Sequence, residues 1–370
     1  MARRYVPVMI LVLLIVLIQL VTSLFNVKYY LTQLTMSAYY ALVIIGLCLL
    51  MGYAGQISIG QAGFFAIGGY TTAALTTANL ISLQAHPLMR VLSRAGLLIL
   101  GKNSYGDEVL YVSPWVACLV AIFLTLVISF LIGMPVLKLK GHYLAMATLG
   151  FGTIIYRIVI GSNIFGGADG LTHVPAFTLL PGLSVSGDFS ARVANYYIAW
   201  AFVTLAVVIA INLINSRVGR GLRALHGGEE GAGAMGVDTA RYKLNIFVLS
   251  AVMAAVGGIF LTHYNGGIGP SETSIIKSVR YVAIVAAGGM ASLWGTLITG
   301  MVLNFLSLRG VFGTYDDAVF GVILILIMVF APGGLLRVAL FKRLPLLRAG
   351  RIPEAVSQRD EGGHVDENGE

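Results

Sequence analysis

Two glycine-rich strings have the spacing of phosphate-cradling loops. GLLILGKN at 96–103 follows the G-x-x-x-x-G-K pattern, but Asn103 replaces the Ser or Thr whose hydroxyl would ligate Mg²⁺. GAGAMG at 231–236 has the G-x-G-x-x-G spacing of a dinucleotide turn, without the preceding strand that such a turn needs. Both read as decoys. His142, His173, His226 and His263 are scattered, and Cys48 and Cys118 lie inside apolar runs, so no metal-type spacing results. No nucleophile elbow occurs with its partners. The pattern argues against catalysis, and against a metal or cofactor held by this chain. Two other groups carry a different chemistry. Gln56, Ser58 and Gln61, set among glycines, could line a polar path. Arg217, Arg220, Arg223, Arg241 and Lys243 could pair with acids on a partner or with lipid headgroups.

The elements that must position these groups are membrane helices. Apolar residues make up 58% of the 370-residue chain and charged residues 11%, against about 25% charged in soluble domains. The net charge of +8 gathers at the ends of apolar runs, as the positive-inside rule expects, and does not point to nucleic acid. Apolar runs occupy 8–25, 36–51, 57–80, 114–137, 143–160, 196–214, 244–264, 279–308 and 318–336. Arg3 and Arg4 before the first run, and Arg337, Lys342, Arg343, Arg348 and Arg351 after the last, place both termini inside. The crossing count must then be even, so 279–308 splits at GGMAS (288–292). An all-α bundle of about ten crossings follows. Residues 1–341 form this domain, with a cytoplasmic loop at 215–243 and an outer insertion at 84–113. That insertion keeps Arg90, Arg94 and Lys102 outside, against the rule, and is read as an amphipathic hairpin. The tail 342–370, basic and then mixed in charge, is expected to be disordered.

Two segments interrupt the helical pattern. The first is GYAGQISIGQ (52–61), with Gln56, Ser58, Gly60 and Gln61; the second holds Gly288, Gly289 and Ser292. Broken helices in both halves of a transporter point to a pathway near the midplane. Glycine-mediated packing with a tight turn is the alternative, above all for the second segment. Arg157, Arg280, Asp316 and Asp317 fall near span ends, so the spans themselves hold almost no charge. Coupling through a membrane carboxylate is therefore disfavoured, and energy is expected to arrive from a partner through the Arg-rich loop. Arg220 and Arg223 share a helix face, and Leu222 and Leu225 could offer that partner an apolar anchor. Asp169, in GGADG, reads as a turn residue that could also touch a partner outside.

The string GRGLRA, with Gly219, Arg220, Arg223 and Ala224, precedes EEGAGAMG (229–236) by a few residues. Together they are similar to the EAA-type coupling loop of ABC import permeases. GYAGQISIGQAGFFAIGGYT (52–71), LKGHYLAMATLGFGTI (139–154), GGADGLTHVP (166–175), SRVGRGLRAL (216–225), GVDTARYKLNIFVLSAVMAAVGGIF (236–260), GGMASLWGTLITG (288–300) and APGGLL (331–336) extend the likeness. In that order they resemble the LivM-like permeases of branched-chain amino-acid ABC importers over nearly the whole chain. The resemblance implies a bacterial inner-membrane permease that pairs with a second, homologous permease subunit. Two cytosolic ATPases would hold the ATP and Mg²⁺, and a periplasmic binding protein would deliver the cargo. Glu229, Ala232 and Gly236 match the acid, small residue and glycine of the coupling loop. Gly231 and Gly233 depart from it, each costing about 0.5–1 kcal/mol in a helix, so the coupling helix should be short or ordered by docking. His142 stands where an acid is common. Import of urea or short amides by the same architecture, or an ion-coupled carrier acting alone, are the competing readings.

Overall fold

A computed structural model describes residues 5–79, 81, 98–102, 108–311 and 313–330. The chain is mainly helical. In order come α1 (Val6–Leu24), α2 (Tyr30–Cys48, continued by a π turn Leu49–Tyr53), α3 (Gln61–Thr77), α4 (Pro114–Val136), α5 (His142–Gly161) and α6 (Arg192–Asn215). They are followed by α7 (Arg217–Gly227), α8 (Glu229–Ala234), α9 (Thr239–Asn265), α10 (Ile275–Gly288), α11 (Leu293–Leu308) and α12 (Asp316–Phe330). Among the described residues, three antiparallel two-stranded ribbons qualify the all-α expectation: β1 (Leu98–Lys102) with β2 (Glu108–Val112), β3 (Leu171–Thr172) with β6 (Gly267–Ile268), and β4 (Phe177–Leu180) with β5 (Leu183–Val185). The first is a hairpin inside the expected insertion, with Lys102 opposite Glu108; residues 82–97 and 103–107 lie outside the described residues, as does the tail 342–370.

Among the described residues, six helices are long and apolar enough to cross a bilayer: α1, α2 with its π turn, α4, α5, α6 and α9. The other apolar helices are shorter. α3 has 17 residues, α10 has 14, α11 has 16 and α12 has 15 in its described part. The runs expected as full spans at 57–80 and 279–308 thus yield helices below about 20 residues. Extended backbone at 55–60 precedes α3, and the turn at 289–292 divides the second run into α10 and α11.

The centre of the bundle is α2, 94% buried over its apolar window and contacted by α9, α11, α6 and α10. A helix apolar on every side has no solvent face to turn outward. α3 and α9 approach backbone to backbone: a Cβ at Gly68 would overlap Ala255, and one at Gly258 would overlap the Phe65 carbonyl. Small residues permit such contacts where no water is available to drive association. α1 lies at the edge against α6 and is tied there by Tyr5 Oη to Asn212 Oδ1 (2.8 Å) and Tyr196 Oη to the Ile15 carbonyl (3.2 Å). The short ribbons gather at one end of the bundle. Trp115 Nε1 donates to the Thr178 carbonyl (2.9 Å), and Phe177 packs on Phe260 and His263 near the end of α9. The linked helices α7 and α8 cap the opposite end.

Candidate functional site

The two glycine-rich interruptions meet. Cys48 Sγ lies 3.5 Å from the Met290 carbonyl, and Tyr53 Oη donates to the Ala291 carbonyl at 3.0 Å. A Cβ at Gly52 would overlap the Met290 carbonyl. The π turn widens the end of α2, and Gln56 N–H reaches back to the Leu50 carbonyl (3.1 Å). The chain then runs extended and re-enters the bundle. Ile59 N–H donates to Thr148 Oγ1 (3.0 Å), and Gly60 packs on the Thr148 carbonyl. Gln56, Ser58 and Gln61 are 4%, 1% and 1% exposed. Neither glutamine amide has a hydrogen-bond partner among the described residues. A buried polar group left unpaired costs about 1–3 kcal/mol, so these side chains are poorly explained as packing alone.

The second interruption has a clearer structural job. Ser292 is exposed and caps α11, accepting from Gly295 N–H at 3.1 Å. Gly288 and Gly289 are buried; a Cβ at Gly288 would overlap the Thr296 backbone, and Thr296 Oγ1 donates to the Gly289 carbonyl (3.3 Å). These residues make a tight turn that lets α10 and α11 fold side by side.

The polar stretch 215–243 is not a loop but an elbow of two helices. Ser216 caps α7 by accepting from Gly219 N–H (3.3 Å), and Asp238 caps α9 by accepting from Arg241 N–H (3.1 Å). Gly219 packs on the Ile214 carbonyl at the α6–α7 bend. Leu222 and Leu225 are 1% and 4% exposed, inside this chain's own core; they are not an anchor for a partner, because burying α7 already uses that apolar face. Arg220 is exposed and Arg223 and Ala224 half-buried, so the outward face of α7 is basic. Ala232 is buried, and Gly236 ends α8 at φ +80, a left-handed turn that suits glycine. Lys243, expected to meet a partner's acids or lipid headgroups, is 8% exposed and pairs instead with Glu229 Oε1 at 2.6 Å. An acid at 229 therefore neutralises a buried ammonium and fixes α8 to α9. The elbow touches the first interruption directly: Gly55, at φ +68, lies against the His226 ring.

Two polar clusters were not foreseen. Glu272, on the 3-10 turn, pairs with Lys277 Nζ at 2.9 Å, and both bond Tyr40 Oη, near the middle of α2, at 3.0 and 3.2 Å. Arg280 pairs with Asp316 (2.8 Å) and Asp317 (2.5 Å), stacks on Phe320, and donates to Ser307 Oγ (3.0 Å). Arg280 was placed near a span end because the helix was expected to begin at 279; it begins at Ile275. A signal existed in the sequence: a Gly-Pro bend, GIGPSE, followed by two cations within one helical turn of each other. Asp169 is exposed in a turn among Gly166, Gly167 and Gly170, all at positive φ, with its N–H on the Gly166 carbonyl (3.2 Å).

The family described as branched-chain amino acid transport system / permease component matches residues 29–329. The chain belongs to this family. Over 324 residues the permease is 29% identical to the high-affinity branched-chain amino acid transport system permease protein LivM of Salmonella typhimurium, covering 82% of this chain and 68% of that protein. It is 25% identical over 321 residues to LivH of Escherichia coli, covering 83% and 96%. It is 28% identical over 268 residues to the autoinducer 2 import system permease protein LsrC of Salmonella choleraesuis, covering 68% and 73%. No solved structure matches significantly. The chain is thus a multi-pass membrane permease component.

Proposed function

We propose that this permease forms half of the pathway of an ATP-driven importer of branched-chain amino acids in the bacterial inner membrane. A second, homologous permease subunit supplies the other half. Two cytosolic ATPases grip the α7–α8 elbow, and a periplasmic binding protein loads the cargo at the ribbon end. Both termini face the cytoplasm, and α3, α10, α11 and α12 join the six long helices to make ten crossings. The cargo class rests on the names of LivM and LivH.

The observation that carries the coupling reading is the contact chain from elbow to interruptions. His226 of α7 abuts Gly55, and Gly52 and Tyr53 abut Met290 and Ala291. A push on α7 reaches both interruptions through adjacent residues. The basic outer face of α7, with Arg220 and Arg223, would meet acids on an ATPase. The unpartnered amides of Gln56 and Gln61 fit a path that is closed here and hydrated or occupied when open. Gly60 and Ser58 line the same extended backbone, while Gly288, Gly289 and Ser292 hold the turn behind it. Asp169, exposed in its glycine turn, would contact the binding protein.

Reconstitution tests this reading. Proteoliposomes holding the permease, its partner subunit, both ATPases and the binding protein should take up radiolabelled leucine only with ATP inside. Uptake by the permease alone driven by an ion gradient would overturn it, as would labelling of residues 219–236 from the extracytoplasmic side. Uptake of urea in place of leucine would overturn the cargo alone.

A further inference from the structure

The cluster formed by Glu272, Lys277 and Tyr40 lies where two short helices begin inside the bundle. The first turn of α3 and the second of α10 touch there, with Ala62 N–H donating to Ser278 Oγ at 3.2 Å. The Lys277 ammonium sits 4.7 Å above the Tyr40 ring. The Glu272 and Lys277 side chains keep 18% and 21% of their surface open, so the pair is sheltered and still reachable. Two of its polar atoms lack protein partners among the described residues, Glu272 Oε2 and Tyr281 Oη on a side chain 1% exposed, and the unpaired amide of Gln61 belongs to the residue next to Ala62. The rings of Tyr40 and Tyr281 are 6.3 Å apart.

Opposite charges in a membrane bundle are costly to desolvate, and an apolar pair of similar volume would commonly serve stability as well or better. Ionisable groups at this depth are more readily explained by function. An amino acid cargo carries one carboxylate and one ammonium, and no net charge. A site holding one cation and one anion can meet both ends, and the two protein groups neutralise each other when no cargo is present. A neutral cargo offers no such exchange, and an anionic or cationic one leaves a protein charge unmatched.

We infer that Lys277 and Glu272 read the zwitterion on the transport path. The Lys277 ammonium receives the cargo carboxylate, the Glu272 carboxylate receives the cargo ammonium, and the Tyr40 hydroxyl, bonded to both in the closed pair, helps hold them in place. The inference rests on the amino-acid reading above and names the groups that enforce it.

The test uses the complete reconstituted complex with radiolabelled leucine. K277M and E272Q should each lower leucine uptake at least tenfold in complexes that copurify with normal subunit stoichiometry. The charge exchange E272K/K277E restores an internal ion pair. A merely structural pair would then recover uptake to within twofold of wild type, which would overturn the inference. The expected result is restored assembly with uptake still at least tenfold down, because each cargo end now faces the wrong charge. Should both single variants transport leucine within twofold of wild type, the inference fails while the importer reading stands. Should the wild-type complex import a neutral solute and no amino acid, the cargo reading fails first and takes this inference with it.

Discussion

At the scale of single residues, the sign of a glycine substitution depends on what surrounds it. Gly52 is fixed by the Met290 carbonyl, so Gly52→Val should destabilise the solubilised protein by about 1–3 kcal/mol, the usual cost of overpacking, read as a lowered thermal midpoint. Gly231 sits within α8 with open space where a Cβ would stand. Gly231→Ala should stabilise that helix by about 0.5–1 kcal/mol, visible as slower amide exchange across 229–234. Glu229→Ala strands the Lys243 ammonium, with a loss of about 1–3 kcal/mol. That lies between the ranges for exposed and fully buried pairs, because the Glu229 side chain is 31% exposed. E229Q/K243M together should cost less than E229A alone. The Glu229–Lys243 pairing was not legible in the sequence. Lys243 reads as a juxtamembrane cation wherever one looks only at neighbours along the chain, and its partner lies across the α8–α9 bend.

At the scale of elements, the long helices were legible and the short ones were not. Runs of apolar residues at 114–137, 143–160, 196–214 and 244–264 coincide closely with α4, α5, α6 and α9. Hydropathy averages over a window, however, and cannot register where a helix starts partway through the bundle. The interruption at 52–61 was legible from its glycines and amides, but the overlapping apolar run 57–80 hid where α3 starts: the residues before Gln61 are extended backbone, with Ile59 N–H satisfied by Thr148. The bend at 266–274 falls between two expected spans, yet it brings Glu272 to the middle of α2. The turn between α10 and α11 was legible, because GGMAS announces itself by composition. α12 depends on α10 through Arg280. Arg280→Ala leaves Asp316 and Asp317 without that cation, and should loosen α12 so that a cysteine at Phe320, 4% exposed in the native packing, reacts with a maleimide at least several-fold faster. Unchanged labelling would show that apolar contacts alone hold α12.

At the scale of the whole molecule, exposed apolar surface separates into faces with different neighbours. α1 and α4 turn large side chains outward along their length, among them Leu13, Leu24, Leu119, Phe123 and Leu131, as lipid or a second subunit requires. The α7 face differs, being basic and solvated. If acids on an ATPase meet it, Arg220→Glu should cut copurification of the ATPase at least tenfold in low salt. The wild-type contact should itself weaken between 0.1 and 0.5 M salt, as the screening length falls from about 10 Å toward a few ångströms. Salt-independent copurification would argue for an apolar contact instead.

The junction of His226, Gly55, Gly52 and Met290 has a mechanical corollary. On the proposed coupling, a linkage of so few parts has almost no backlash, so a push at the elbow would reach both interruptions nearly undiminished. Gly55→Ala, which burdens a left-handed backbone and crowds the imidazole, should leave the engine turning with nothing engaged: nucleotide consumed, little cargo moved.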